Sequence, residues 1–204
     1  MVELETPHGP ARVQLRPVDR PVAALVLGHG AGGGIEAPDL VAATKAARGE
    51  QLNVALVEQP YRVAGRRSPA PANQLDAAWV AVVEQLRQDA LRGLPLVVGG
   101  RSAGARVACR TADAVGALAV LCLAFPLHPP GRADDPAKSR LPELDALAVP
   151  TLVVQGESDP FGMPPDGTNR LVVHIPGNHS LRNRAAVEAA VSDWLGTVVP
   201  VVAR

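Results

Sequence analysis

Three short segments carry side chains able to attack a carbonyl or move a proton. Gly100-Arg101-Ser102-Ala103-Gly104 sets a hydroxyl between glycines, after the apolar run LPLVVG and just before the Ala-rich stretch ARVACRTAD. A nucleophile on a tight strand-to-helix turn takes a strained backbone conformation, and the residues two before and two after it must be small. Serine is a poor nucleophile until a neighbouring base takes its proton and a third group holds that base. Downstream, Gly156-Glu157-Ser158-Asp159-Pro160 offers a carboxylate and Pro176-Gly177-Asn178-His179-Ser180 an imidazole. Ser102 is read as the nucleophile, His179 as its base and Asp159 as the group orienting that base, with Glu157 as a rival acid. A capping serine, a turn-shaping aspartate and a loop-capping histidine are the plainer readings of the same residues.

The helix after Ser102 turns its N-terminal amides and positive dipole end toward the negative charge of an attacked carbonyl. The run Gly28-His29-Gly30-Ala31-Gly32-Gly33-Gly34 follows another apolar stretch and brings flexible backbone amides to the same place. The amides of Ala31 and Ala103 are the expected oxyanion hole. His29, Tyr61, Arg62 and His128 are candidates to line a substrate site. A structural role is the favoured reading for His29 and His128, and a solvated basic loop for Arg62, Arg66 and Arg67, with an anionic substrate group as the sharper one. His174 falls inside a strand and reads as a core or lining residue.

These segments need a frame that brings them to one edge. Short β-branched runs alternate with Ala-rich stretches, the pattern of βαβ units and a mainly parallel sheet. Six core strands are expected at Val22–Leu27, Asn53–Val57, Pro95–Gly99, Ala117–Leu123, Thr151–Gln155 and Leu171–Ile175, with an edge strand at Ala11–Arg16. Helices are expected at Pro38–Arg48, Asn73–Leu91, Ala103–Asp113, Leu141–Leu147 and Arg182–Leu195, with Asn73 and Asn178 as caps or turns. The result is an α/β chain with a sheet of about six to seven strands, helices on both faces and one domain over residues 1–204. In such folds the loops beyond the carboxyl ends of the strands build the site. The order Ser102, Asp159, His179 is that of the α/β-hydrolase fold. The tail TVVPVVAR leaves an added strand and a packed extension both open.

A competing motif sits in the first glycine loop. Gly28, Gly30 and Gly33 spell G-x-G-x-x-G after a strand and before a helix, and Glu58 ends the next strand where a ribose-binding acid would stand. A dinucleotide site explains the first sixty residues and leaves the other three segments as coincidence. A binding or scaffold protein on the same shell is the second alternative, because a fold alone does not establish activity.

Composition narrows the partners. Twenty basic and twenty acidic residues cancel, which removes a whole-chain electrostatic argument for nucleic acid or an anionic membrane. A small-molecule acyl substrate is expected, and the oligomeric state is not legible. Hydrophobic residues make up 47% and aromatic residues 2%, so aliphatic side chains must fill the core. The start MVELETPHGP lacks a basic segment followed by an apolar one, and a cytoplasmic location is expected. No ligand spacing for a metal is present and no cofactor is expected. Cys109 and Cys122 read as isolated, buried small hydrophobes.

With LGHGAGGG, GGRSAGAR, FPLHPPG, QGESDPFG and PGNHS in this order, the sequence resembles a short, capless α/β-hydrolase-like family. That family groups bacterial hydrolases with testis-expressed and non-specific-lethal-complex relatives, and is more distantly similar to dienelactone-hydrolase-type proteins. The resemblance runs from about Val22 to Leu195, and FPLHPPG at Phe125–Gly131 is its most specific element. It implies the fold and a serine-hydrolase-like site at Ser102, Asp159 and His179. It implies no particular substrate. Where larger relatives insert a helical lid, Phe125–Pro150 leaves room for only a Pro-rich loop and one short helix, so a shallow, open site without a cap domain is expected.

Overall fold

A continuous apolar strand is buried on both faces only where alternate side chains meet different helix layers. The computed structural model, which describes residues 1–132 and 135–202, divides its strands in that way. In β3 (Ala23–Gly28), Ala23, Leu25 and Leu27 enter one core, while Ala24 and Val26 enter the other. The first core is closed by α1 (Pro38–Gly49) and α6 (Arg184–Val202). The second is closed by α3 (Ala72–Gln88), α4 (Ala103–Thr111) and Leu144 of α5 (Leu141–Asp145). Four of the five aromatic side chains, Tyr61, Trp79, Phe125 and Trp194, are buried in these layers. The rest of the packing is aliphatic, as the composition requires.

The sheet has eight strands rather than six or seven. Besides β3 they are β1 (Val2–Leu4), β2 (Ala11–Arg16), β4 (Leu52–Glu58), β5 (Leu96–Arg101), β6 (Ala119–Leu123), β7 (Thr151–Gly156) and β8 (Arg170–Ile175), in the order β1-β2-β4-β3-β5-β6-β7-β8. β2 is not the edge, because β1 pairs antiparallel with its outer side. The strands from β4 to β8 are mutually parallel. Numbered along the chain, these six parallel strands run 2-1-3-4-5-6. The order reverses beside β3, so the crevice above β3 and β5 is the topological switch point where open α/β sheets bind ligands. The dinucleotide fold has the order 3-2-1-4-5-6, which this sheet does not follow.

Several local expectations change. Pro60–Val63 forms a short helix, α2, in place of a loop. Asn73 lies inside α3, whose N-cap position is Pro71, so it caps nothing. His174 is exposed, because β8 is the last strand of the sheet and one side of it has no neighbour. The tail continues α6 to Val202, and Val198 and Val199 are buried; residues 203 and 204 lie outside the described residues. Cys109 and Cys122 are buried free thiols but not isolated ones, their sulfurs standing 3.4 Å apart. The contact with Cys122, and then burial, holds the Cys109 thiol well above its ordinary value. Among the described residues no helix is long and apolar enough to cross a membrane.

Candidate active site

Ser102 occupies the N-cap position of α4 with φ 52° and ψ −111°, a left-handed conformation that a side-chain-bearing residue rarely takes. Neighbouring elements hold it there. Its amide donates to Leu123 O at 2.9 Å, and its carbonyl accepts from Arg106 N at 3.2 Å. The flanking glycines allow the turn to close. A Cβ on Gly100 would lie 2.6 Å from both Gly28 O and Gly104 C, and one on Gly104 would lie 2.5 Å from Gly28 O. The motif's demand for small residues is therefore a contact between the end of β3, the elbow and the first turn of α4.

His179 follows β8 and Asp159 follows β7, and their loops meet at the elbow. His179 Nε2 is 2.9 Å from Ser102 Oγ, and His179 Nδ1 is 2.8 Å from Asp159 Oδ2. With Nδ1–H donating to the carboxylate, Nε2 is free to accept from the hydroxyl. The Asp159 side chain is 1% exposed and that of His179 17%. Asp159 is further fixed by Phe161 N on Oδ1 and Gln155 Nε2 on Oδ2, each at 2.9 Å. Glu157, the rival acid, is exposed. Gly156 lets the two loops touch, since a Cβ there would lie 2.6 Å from Asn178 O. The Asn178 side chain itself turns the histidine loop by accepting from Ser180 N at 3.0 Å.

Around this chain the other expected residues take different positions. Ala31 and Ala103 are both half-buried, and among the described residues neither amide donates to another protein group. Tyr61 does not line the surface. It is buried, and its hydroxyl donates to Ala31 O at 2.9 Å, so it holds the glycine loop. Burial pushes its pKa up to about 12, which keeps it a donor. His29 is likewise buried, with Nδ1 2.8 Å from Gly30 O and Nε2 accepting from Gln59 N at 3.1 Å. Burial lowers its pKa, which fits an imidazole serving as a neutral brace between the β3 and β4 loops. Both side chains thus support the glycine loop, Tyr61 from the short α2 helix and His29 from just beyond the end of β3. Arg62 is half-buried and its Nη1 reaches Arg66 O at 3.3 Å. His128 donates its amide to Phe161 O, tying the FPLHPPG loop to the aspartate loop.

Sequence reasoning missed four contributors. Phe161 lies against the His179 ring, centroids 4.4 Å apart, as the one Phe, Tyr or Trp side chain outside the two cores. Gln155 braces the acid. Arg101 and Asp39 form an ion pair at 2.8 Å beneath the glycine loop. Phe161 and Gln155 stand within QGESDPFG and Arg101 within GGRSAGAR, whereas Asp39 lay in no motif that the sequence singled out. Gly30 of the dinucleotide-like motif packs on the elbow, where a Cβ would come 3.5 Å from Ser102 Cβ.

Comparison with known proteins agrees with this arrangement at the level of fold. A family model described as an alpha/beta hydrolase domain matches residues 21–203. No curated protein matches the chain in sequence. Among solved structures, an α/β serine hydrolase without lid from Xanthomonas campestris is 22% identical with a TM-score of 0.72, over 95% of this chain and 93% of that one. Est1E from Butyrivibrio proteoclasticus with ferulic acid bound is 16% identical with a TM-score of 0.80, over 98% and 100%. A serine hydrolase homologue from Coxiella burnetii is 17% identical with a TM-score of 0.74, over 95% and 96%.

Proposed function

The chain belongs to the α/β-hydrolase domain family, and from that premise we propose that it is a serine hydrolase cleaving small carboxylic esters or thioesters. The observation that carries the proposal is the unbroken contact from Asp159 through His179 to Ser102, at 2.8 and 2.9 Å. His179 Nε2 takes the Ser102 proton as Oγ attacks the substrate carbonyl. The oxyanion that forms is held by the Ala31 and Ala103 amides, aided by the N-terminal end of α4. His179 then gives the proton to the leaving alcohol or thiol. Water, deprotonated by the same imidazole, releases the acid and restores the serine. Asp159 keeps its hydrogen bond to His179 Nδ1 and favours the imidazolium formed at each step.

Small or extended soluble substrates suit the surroundings. Between β6 and β7 the described chain supplies only a loop, the 3-10 turn Pro136–Lys138 and α5, and Phe161 is the one aromatic wall beside His179. FPLHPPG, the most specific element of the resemblance to the capless group, is tied by the His128 amide to Phe161 O. The test is covalent labelling by a fluorophosphonate together with turnover of p-nitrophenyl acetate. Wild type is labelled, Ser102→Ala is not, and turnover falls on the order of 10⁶-fold by the subtilisin precedent, with folding retained. Equal labelling or equal turnover in the two proteins would remove Ser102 from the mechanism.

A further inference from the structure

The residue between Gly100 and Ser102 takes no part in the attack itself, yet its guanidinium touches three separate segments of the site. Arg101 Nε lies 2.8 Å from Asp39 Oδ2 in the first turn of α1. Its Nη2 donates to the His179 carbonyl at 3.0 Å, across 78 positions of sequence. Its Nη1 lies under the glycine loop, where a Cβ on Gly30 would come within 2.8 Å of it. The segments bearing the nucleophile, the base and the Ala31 amide thus meet on one planar group.

Asp39 is 0% exposed, and a carboxylate so buried is retained only with a partner. Burial, the leading influence, raises its pKa against the lowering effect of Arg101. Asp39 Oδ1 accepts from Leu40 N at 2.9 Å, which fixes the carboxylate on α1. The guanidinium sets its charge against the Asp39 carboxylate through Nε, as an ion pair without a hydrogen bond, while Nη2 donates to a main-chain carbonyl. His179 needs such a hold. The residues before it, Pro176, Gly177 and Asn178, are all exposed, and the hydrogen bonds along this loop run to the aspartate loop or to itself. Among the described residues, the bond from Arg101 is the one that ties the His179 peptide to the strand carrying the nucleophile.

We propose that Arg101 is a positioning residue, anchored by Asp39, that holds the His179 backbone so that the imidazole faces Ser102. The inference rests on the serine-hydrolase reading above. Its test uses Arg101→Lys and Arg101→Met, each alone and combined with His179→Ala, beside Ser102→Ala, with kcat and KM for p-nitrophenyl acetate and the Tm of each protein. Lysine keeps the positive charge beside Asp39 but cannot serve both partners. If Arg101→Met does not fold, Arg101→Lys alone carries the test. Either arginine variant lowers kcat about 10²-fold, the loss expected for a displacement of about 1 Å, with KM within about twofold. In the His179→Ala background, where residual turnover still stands about 10³-fold above water, the same changes cause no further loss, because their effect runs through the imidazole. Unchanged kcat in Arg101→Lys, or a full loss that persists without His179, overturns the positioning role. Unchanged turnover in Ser102→Ala and His179→Ala instead overturns the underlying reading, and is a distinct result.

Discussion

Gly104→Ala probes the elbow, because it adds one methyl where three backbone atoms converge. The new Cβ would lie 2.5 Å from Gly28 O, 2.6 Å from Gly28 C and 2.7 Å from His29 O. None of these is the free end of a side chain. Ordinary contact begins at 3.4 Å, so α4 and the end of β3 must separate by about 0.9 Å. Overpacking of this kind costs about 1–3 kcal/mol, and alanine returns up to about 1 kcal/mol of helix propensity. A net loss of roughly 1–2 kcal/mol lowers Tm by about 2–8 °C in a chain of this size. The catalytic loss is larger. A shift of that length carried to Ser102 takes its 2.9 Å contact with His179 beyond hydrogen-bond length and moves the Ala103 amide away from Ala31. Ester turnover should fall about 10²-fold, read by steady-state kinetics beside thermal unfolding. A variant with Tm lowered as stated but kcat/KM within twofold of wild type would refute the argument that this contact sets the geometry of the site.

Two other expectations follow from individual side chains. In Asp159→Asn one of the two carboxylate oxygens becomes an NH2, so the amide either loses the bond from Phe161 N or turns its NH2 to His179 Nδ1 and forces the wrong tautomer. Turnover should drop about 10⁴-fold in kcat, by analogy with the trypsin-type triad, with little change in KM; a rise in KM at constant kcat would contradict the orienting role. His29 is held below the ordinary imidazole value of 6.5, first by burial. Between its lowered folded value and 6.5 the unfolded chain binds more protons, so stability rises with pH across that window and is lost as pH falls through it. Urea midpoints of wild type and His29→Gln, compared between about pH 8 and about pH 5, should show the larger acid loss in wild type. Equal losses in both would exclude His29 as a source.

Much of the frame is legible along the chain because its signals are local. A run such as TLVVQ can be buried only as a strand covered on both faces, and Gly100 with Gly104 marks a turn that no larger residue would allow. The elements missed were those with weak local signals. Val2–Leu4 is three residues long and mostly exposed, so nothing but its pairing to β2 makes it a strand. The β-branched tail reads as strand or helix alike, and burial of Val198 and Val199 in the core shared with α1 decides for helix. His174 depended on its place in the sheet, since an edge strand has no cover on one side.

Taken alone, the amino-acid order determined which residues stand at strand ends, because strand, turn and helix preferences act over a few neighbours. It thereby singled out Ser102, Asp159 and His179. Tertiary structure decided what each partner is. Arg101 reaching His179, Tyr61 reaching Ala31 and Cys109 meeting Cys122 are contacts between segments far apart in sequence. Such contacts depend on how the sheet twists and stacks its helices, and no preference of an isolated segment encodes that.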